Sequence, residues 1–386
     1  MPHKKMRKKK IYYYGPGVHT YFEQVLKNPP EGYEFIIEGD PKKVEIIKKL
    51  RENNLAIFLY KNVIKKLVSP LKIIQKVYYK PSPDNIDLIF SAGMIHEKKP
   101  WVSEIIDNPF LFAGYDYGLF IKNLKNIEKI LASSYCKKII VNTTDCKKQF
   151  EKYFSPQVTN KIELLPPGIL RQEFKKKTKK EVNFLFMGST NNPRDFLIKG
   201  GLEALESFTI LSKKYNNIRL FFRSQLPEGL KEKYDNKNII FLESRLSNEQ
   251  LKKVYTDSDI LLLPGHTYFI MAFLESISFG LPIISLDTYG VSDFVINNRN
   301  GFAIKPSDKI PYNVPSYPVN IRSKEFIEPI KNPDKKVIEQ ICEKAELLIK
   351  DKKLRQKMSR ESLNLARTKF SMENRKKRLK EIFDSI

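Results

Sequence analysis

The feature that most constrains this chain is a pattern that occurs twice. Short β-branched and aromatic runs alternate with amphipathic stretches on both sides of one lysine-rich segment. In the first half, Lys10–Tyr14, Tyr33–Ile37, Ile57–Tyr60, Asp87–Phe90, Lys138–Asn142 and Ile162–Leu165 read as strands. GPGVHTYFEQVL and Ile127–Ala132 read as a turn-helix and a helix between them. In the second half, the strands are Asn183–Met187, Ile218–Phe222, Asn238–Leu242, Asp259–Leu263 and Pro282–Leu286. A helix over Gly200–Lys214 carries Leu202, Leu205, Phe208 and Leu211 on one face, and Ser247-x-x-Gln250 opens another as a capping box. Strands alternating with helices predict an α/β protein with parallel, doubly wound sheets. The chain has 386 residues, too many for one ordinary core, so two such domains are expected.

The segment EFKKKTKK, residues 173–180, lacks apolar positions and reads as an exposed linker. The expected organisation is an N-terminal Rossmann-like domain over 1–172, the basic linker 173–180, and a C-terminal domain over 181–370. Residues 371–386 form a last amphipathic helix with Ser371 as its N-cap. Proline-rich Lys305–Pro333 reads as a long surface loop or insertion. Two doubly wound domains define a cleft, because ligands of such sheets bind outside the carboxyl ends of the strands.

Several classes are disfavoured. Cys136, Cys146 and Cys342 form no C-x-x-C pair, so neither a disulfide framework nor a zinc site is expected. No apolar run of membrane-spanning length occurs, and the basic N-terminus is followed by too short an apolar stretch for a signal peptide. A cytoplasmic protein is predicted. Its formal net charge of +25 admits nucleic acid, an anionic membrane surface or small phosphorylated ligands as partners, and also a purely compositional origin. GPG at 15–17 is not a G-x-G-x-x-G fingerprint, which disfavours dinucleotide oxidoreduction. Asp257-Ser-Asp259 lies at the wrong end of its strand for a metal site, and no metal is expected.

Three places carry the candidate chemistry. In FLESISFGLPIIS, residues 273–285, Glu275 is the one acid in an apolar and small-residue run. A carboxylate there needs donors, and the two vicinal hydroxyls of a ribose supply them. The preceding loop PGHTYFIM leads from a strand end into a helix N-terminus whose free N–H groups suit a phosphate. His266, Thr267, Ile270 and Met271 belong to that loop and are assigned to the ligand site with it. In PRDFLIKGG, residues 193–201, Lys199 beside two glycines suits a diphosphate, and Arg194 can assist. Gly17 allows close backbone approach after the first strand, and His96 is a candidate for sugar contact or proton transfer. Each has a plainer alternative: a solvated helix Glu, exposed bases in a basic protein, an ordinary turn, a structural histidine.

Taken together, NFLFMGS…KGGLEALESF, NIIFLESRLSNEQLKKVYTDSDILLLPG and FLESISFGLPIISLDTYGVSDFVINNRNGFAI resemble the retaining family 4 (group 1) glycosyltransferases of GT-B fold. YGPGVHTYFEQVL, IIVNTTDCKKQF, IELLPPGI and the terminal KFSMENRKKRLKEIF fall in the expected order, the last resembling a helix that crosses back onto the N-terminal domain. The resemblance implies metal-independent transfer of a sugar from a nucleoside diphosphate to a glycan or lipid-linked acceptor, with retention at the anomeric carbon. It implies that Glu275 holds the ribose, that Lys199 clamps the diphosphate, that Gly17 approaches the phosphates and that His96 lies near the transferred sugar. Two positions depart from the pattern. Thr267 stands where the first glutamate of E-x7-E is expected, and Ser189 where the clamp arginine is expected, so that Arg194 has to substitute. These departures motivate a second hypothesis, a non-catalytic nucleotide-sugar-binding scaffold. A nucleic-acid-binding protein, motivated by charge alone, is the third; it lacks a module of interleaved basic and aromatic residues.

Overall fold

The computed structural model describes residues 7–14, 20–37, 77–78, 83–95, 98–176, 180–188, 195–242 and 245–386. The chain divides into two compact units, Met1–Pro167 with Glu373–Ile386, and Gly168–Met372. Each is built on a six-stranded sheet in which every pairing is parallel. The predicted strand Ile57–Tyr60 lies outside the described residues.

In the first unit the strands are β1 Lys9–Tyr14, β2 Tyr33–Ile37, β3 Val77–Tyr78, β4 Leu88–Ser91, β5 Met94–Ile95, β6 Trp101–Ile105, β7 Cys136–Val141 and β8 Ile162–Leu164. The main sheet runs β2-β1-β4-β6-β7-β8, and β3 pairs with β5 separately. Strand β6, WVSEI, is buried along its whole length although it contains Ser103 and Glu104. That polar content hid it from the sequence pattern. Glu104 is stabilised by donors from three other elements: Tyr21 Oη at 2.5 Å, Asn142 Nδ2 at 2.8 Å and Arg375 Nη2 at 2.6 Å. Arg375 comes from the terminal helix Met372–Asp384, and it also donates to the carbonyls of Leu165 and Pro166 at 3.3 and 2.8 Å. Buried charges persist when paired and hydrogen-bonded in this way.

The second unit holds β9 Val182–Met187, β10 Ile218–Arg223, β11 Ile239–Leu242, β12 Ile260–Leu262, β13 Ile283–Leu286 and β14 Gly301–Ile304, in the order β11-β10-β9-β12-β13-β14. β9, β12 and β13 are buried along their whole length, as expected of central parallel strands covered on both faces. From β9 the order proceeds outward through β10 and β11, and on the other side from β12 through β13 and β14. The topological switch point therefore lies between β9 and β12, where ligands of open α/β sheets bind beyond the carboxyl ends. The predicted helix at Gly200 is found as Gly201–Lys214, and the Ser247/Gln250 capping box is formed.

Two expectations are corrected. Glu173–Lys176 does not behave as a free linker: it belongs to the second unit, with the Phe174 ring 5.1 Å from that of Phe279 and Lys176 Nζ donating to the Ser258 carbonyl at 3.0 Å. One aromatic ring and one lysine stem give apolar area to a segment whose composition looks fully solvated. Lys305–Pro333 is not a loose surface loop either. It contains the helix Lys324–Ile330, and it buries Ile310, Tyr317 and Phe326.

Candidate donor site at the switch point of the second sheet

The loops that leave β9 and β12 are pressed together by glycine. Gly200 has φ +75°, and a Cβ on it would lie 2.0 Å from the Pro264 carbonyl oxygen. A Cβ on Gly201 would lie 2.2 Å from the Phe196 ring. The pair that reads as a phosphate loop is thus required first for packing, Gly200 against the Pro264 backbone and Gly201 against the Phe196 ring. The His266 amide completes the join by donating to the Ile198 carbonyl at 2.8 Å.

This join fixes Lys199. Its Nζ lies 3.5 Å from the Met187 carbonyl at the end of β9 and 4.6 Å from the centre of the Phe269 ring. Burial pushes its pKa down to about 8, and Arg223 adds to that depression, whereas Asp195 and Glu275 oppose it. Arg223 ends β10, in register with Met187, and its Nη1 lies 3.7 Å from the Met187 sulfur.

Glu275 lies on the helix Ile270–Ser278, which follows β12. Every residue of that helix is buried except Met271 and Glu275, which are only partly so. Four residues apart, they share one face, the one face of this helix that remains accessible. The Tyr255 hydroxyl donates to Glu275 Oε2 at 2.6 Å. Burial raises the Glu275 pKa; the Tyr255 hydrogen bond, Arg223 and Lys199 each hold it down. Tyr255 is itself fixed by stacking on Phe279, ring centres 5.2 Å apart. Lys199 and Arg223, at the carboxyl ends of β9 and β10, and Tyr255 and Glu275 therefore form one electrostatic cluster.

The remaining assigned residues divide. Ile270 is buried in the first turn of the helix, whose N-cap residue Phe269 makes no side-chain capping bond. Thr267 is buried at 9% exposure and is too short to replace a glutamate's reach. His266 is corrected: its ring has no exposed surface, Nε2 lies 3.2 Å from Glu203 Oε1, and Nδ1 lies 2.6 Å from the Tyr312 hydroxyl. Its carbonyl accepts from Tyr317 at 2.8 Å. It anchors the loop rather than facing a ligand, and two of the partners that turn it inward, Tyr312 and Tyr317, come from the segment expected to be a surface loop. Gly17, His96, Arg194 and Ser189 lie outside the described residues. Asp259 is occupied structurally, accepting from the Asn183 amide at 2.8 Å.

Sequence reasoning missed Arg223 and Tyr255. A basic residue closing the apolar strand IRLFFR was the available signal for Arg223, since that end of the strand is the ligand end. Tyr255 gave none, because it sits on a helix that precedes β12 and joins the site only through packing.

Residues 171–311, which contain every member of this cluster, match the family model of glycosyl transferases group 1. No curated protein sequence matches the chain. Solved structures match nearly its whole length at low identity. WaaG, a glycosyltransferase involved in lipopolysaccharide biosynthesis, aligns with TM-score 0.53 and 16% identity, covering 93% of this chain and 95% of its own. A glycosyltransferase from Rickettsia africae aligns with TM-score 0.57 and 12% identity over 98% of both chains. HepE of Anabaena, solved in complex with UDP and glucose, aligns with TM-score 0.57 and 10% identity, over 98% of this chain and all of its own (100%). The chain shares the GT-B fold of these glycosyltransferases, and its residues 171–311 are similar to the group 1 glycosyl transferases.

Proposed function

We propose that the protein is a retaining glycosyltransferase that takes a sugar from a nucleoside diphosphate and delivers it to a glycan or lipid-linked acceptor. The observation that carries this reading is the convergence of Lys199 and Glu275 at the switch point of the second sheet. The partly buried carboxylate offers Oε1 to a ribose hydroxyl. Lys199, held at reduced pKa, gains a counter-ion when a diphosphate arrives.

In this reading the diphosphate leaves with growing negative charge, which Lys199 and the amides that open the helix Ile270–Ser278 stabilise. The leaving phosphate oxygen takes the acceptor proton on the same face, so retention needs no separate protein base. The cations of the chain balance the diphosphate, and turnover is expected to persist with EDTA present. The acceptor is assigned to the first unit; the resemblance gives Gly17 a role at the phosphates and His96 one at the transferred sugar. The protein works in the cytoplasm, and its net charge of +25 supports docking at an anionic membrane surface that carries a lipid-linked acceptor. Such docking weakens as salt rises, which vesicle co-sedimentation reads directly.

The test is thermal stabilisation by UDP-, GDP-, ADP- and dTDP-sugars, with UDP-sugars first because HepE binds UDP and glucose. A rise in melting temperature that Glu275→Ala abolishes supports the site. The absence of any rise with all four nucleotides rejects it. Buried Thr267 favours one second reading, a nucleotide-sugar binder that transfers nothing. Stabilisation without transfer or hydrolysis selects that alternative.

A further inference from the structure

Arg223 is a cation without its anion. It stands at the carboxyl end of β10, part-buried, and among the described residues no carboxylate comes within ion-pair distance of its guanidinium. Its Nε is buried and takes no hydrogen-bond partner, and its Nη1 has the soft Met187 sulfur as a neighbour, at 3.7 Å. Taking a guanidinium out of water without a partner is costly. Lys199 Nζ lies near the same residue, 3.5 Å from the Met187 carbonyl. Strand pairing makes this arrangement rigid. Arg223 and Met187 are in register, and the Gly188 amide donates to the Arg223 carbonyl at 2.6 Å. Gly188 itself must be glycine, because a Cβ there would lie 2.3 Å from Ser224. Two cations thus lie beside Met187, with Glu275 as the nearby carboxylate already bonded to Tyr255. With both bases charged and the acid ionised, the trio carries a net charge of about +1, with Asp195 the further carboxylate that acts on Lys199.

We propose that Arg223 is a phosphate-contacting residue of the donor site, forming with Lys199 the pair of cations that grips the diphosphate. This rests on the nucleotide-sugar reading above and goes further by assigning the arginine. The role is assigned to the end of β10, whereas the sequence pattern points to Arg194, which lies outside the described residues. The electrostatics agree: burial lowers the Arg223 pKa, while Tyr255 and Glu275 oppose that lowering. A guanidinium also presents parallel donors to two phosphate oxygens, which lysine does not.

The experiment is calorimetric titration of the full chain with UDP, UMP, uridine and inorganic pyrophosphate, repeated with the corresponding guanosine, adenosine and thymidine series. The variants are Arg223→Gln, Arg223→Lys and, as a reference, Lys199→Met. Arg223→Gln should weaken diphosphate binding about 10- to 100-fold, corresponding to the loss of one charge-assisted contact. Monophosphate binding should weaken less, and the nucleoside alone not at all. Arg223→Lys should recover part of the loss. A merely structural arginine would weaken all three ligands alike, and that pattern overturns the proposal. It is equally overturned if Arg223→Gln binds the nucleoside diphosphate as the wild type does while Lys199→Met does not. If no nucleotide binds but pyrophosphate does, and Arg223→Gln abolishes it, the anion site stands and the nucleotide-sugar reading falls. If neither nucleotides nor pyrophosphate bind the wild type, both fall.

Discussion

Tyr255 donates its hydroxyl to Glu275 Oε2 at 2.6 Å, and Oε1 accepts no hydrogen bond among the described residues. The carboxylate is therefore half provided for by its own chain. Tyr255→Phe should leave the fold intact but lower its stability by about 1.5–3 kcal/mol, the loss of one bond to a charged group. It should also weaken nucleotide binding, because Glu275 loses the contact that orients it. Chemical denaturation and nucleotide titration on the same variant separate the two effects. Unchanged affinity would show that Tyr255 does not position Glu275.

Gly200→Ala tests the junction of the two loops. A side chain at φ +75° costs about 1–3 kcal/mol. The overlap with the Pro264 carbonyl adds a comparable amount, about 1–3 kcal/mol, unless the loops separate. Separation would move Lys199 away from Met187, so the variant should lose both melting temperature and nucleotide affinity. If its melting temperature is unchanged, the close approach at Pro264 is not a constraint.

Most of the second sheet was legible because its strands are continuous apolar runs bounded by turn residues, as at Asn183–Met187 and Pro282–Leu286. Glu275 was legible for the opposite reason, as a single acid in such a setting. The illegible parts depend on partners distant in sequence. Glu104 reads as a surface residue until Arg375 meets it 271 positions later, and this concealed β6. His266 reads as a ligand contact until Glu203, Tyr312 and Tyr317 enclose it. Arg223 reads as the exposed end of a strand until pairing sets it beside Met187. Local pattern reports which residues can be buried; it does not report which partners make burial of a charge tolerable.

The Glu104–Arg375 pair should be far more sensitive to single than to double substitution. Arg375→Met leaves a buried carboxylate with only Tyr21 and Asn142 as donors and should cost about 3–5 kcal/mol. Adding Glu104→Gln removes the stranded charge and should recover part of that loss. A double-mutant cycle by urea unfolding measures the coupling. Additive losses would mean that the pair contributes as two separate residues.

Lys199 gives the site a pH signature in which affinity and stability move in opposite directions. Its pKa in the folded, unliganded protein is about 8, set by burial and Arg223 against Asp195 and Glu275. An unfolded lysine titrates near its ordinary value of about 10.4. Between those values the unfolded chain binds more protons than the folded one, so the contribution of Lys199 to unliganded stability becomes more favourable as pH rises through this window. Diphosphate binding needs the charged amine, so affinity should fall above pH ~8, approaching tenfold per unit while the bound form keeps its proton. Lys199→Met should abolish the Lys199-dependent part of both trends and lower affinity at every pH. Lys199→Arg should keep the charge and flatten the affinity profile between pH 7 and 10. Affinity that stays level to pH 10 in the wild type would mean that the charge on Lys199 does not hold the ligand.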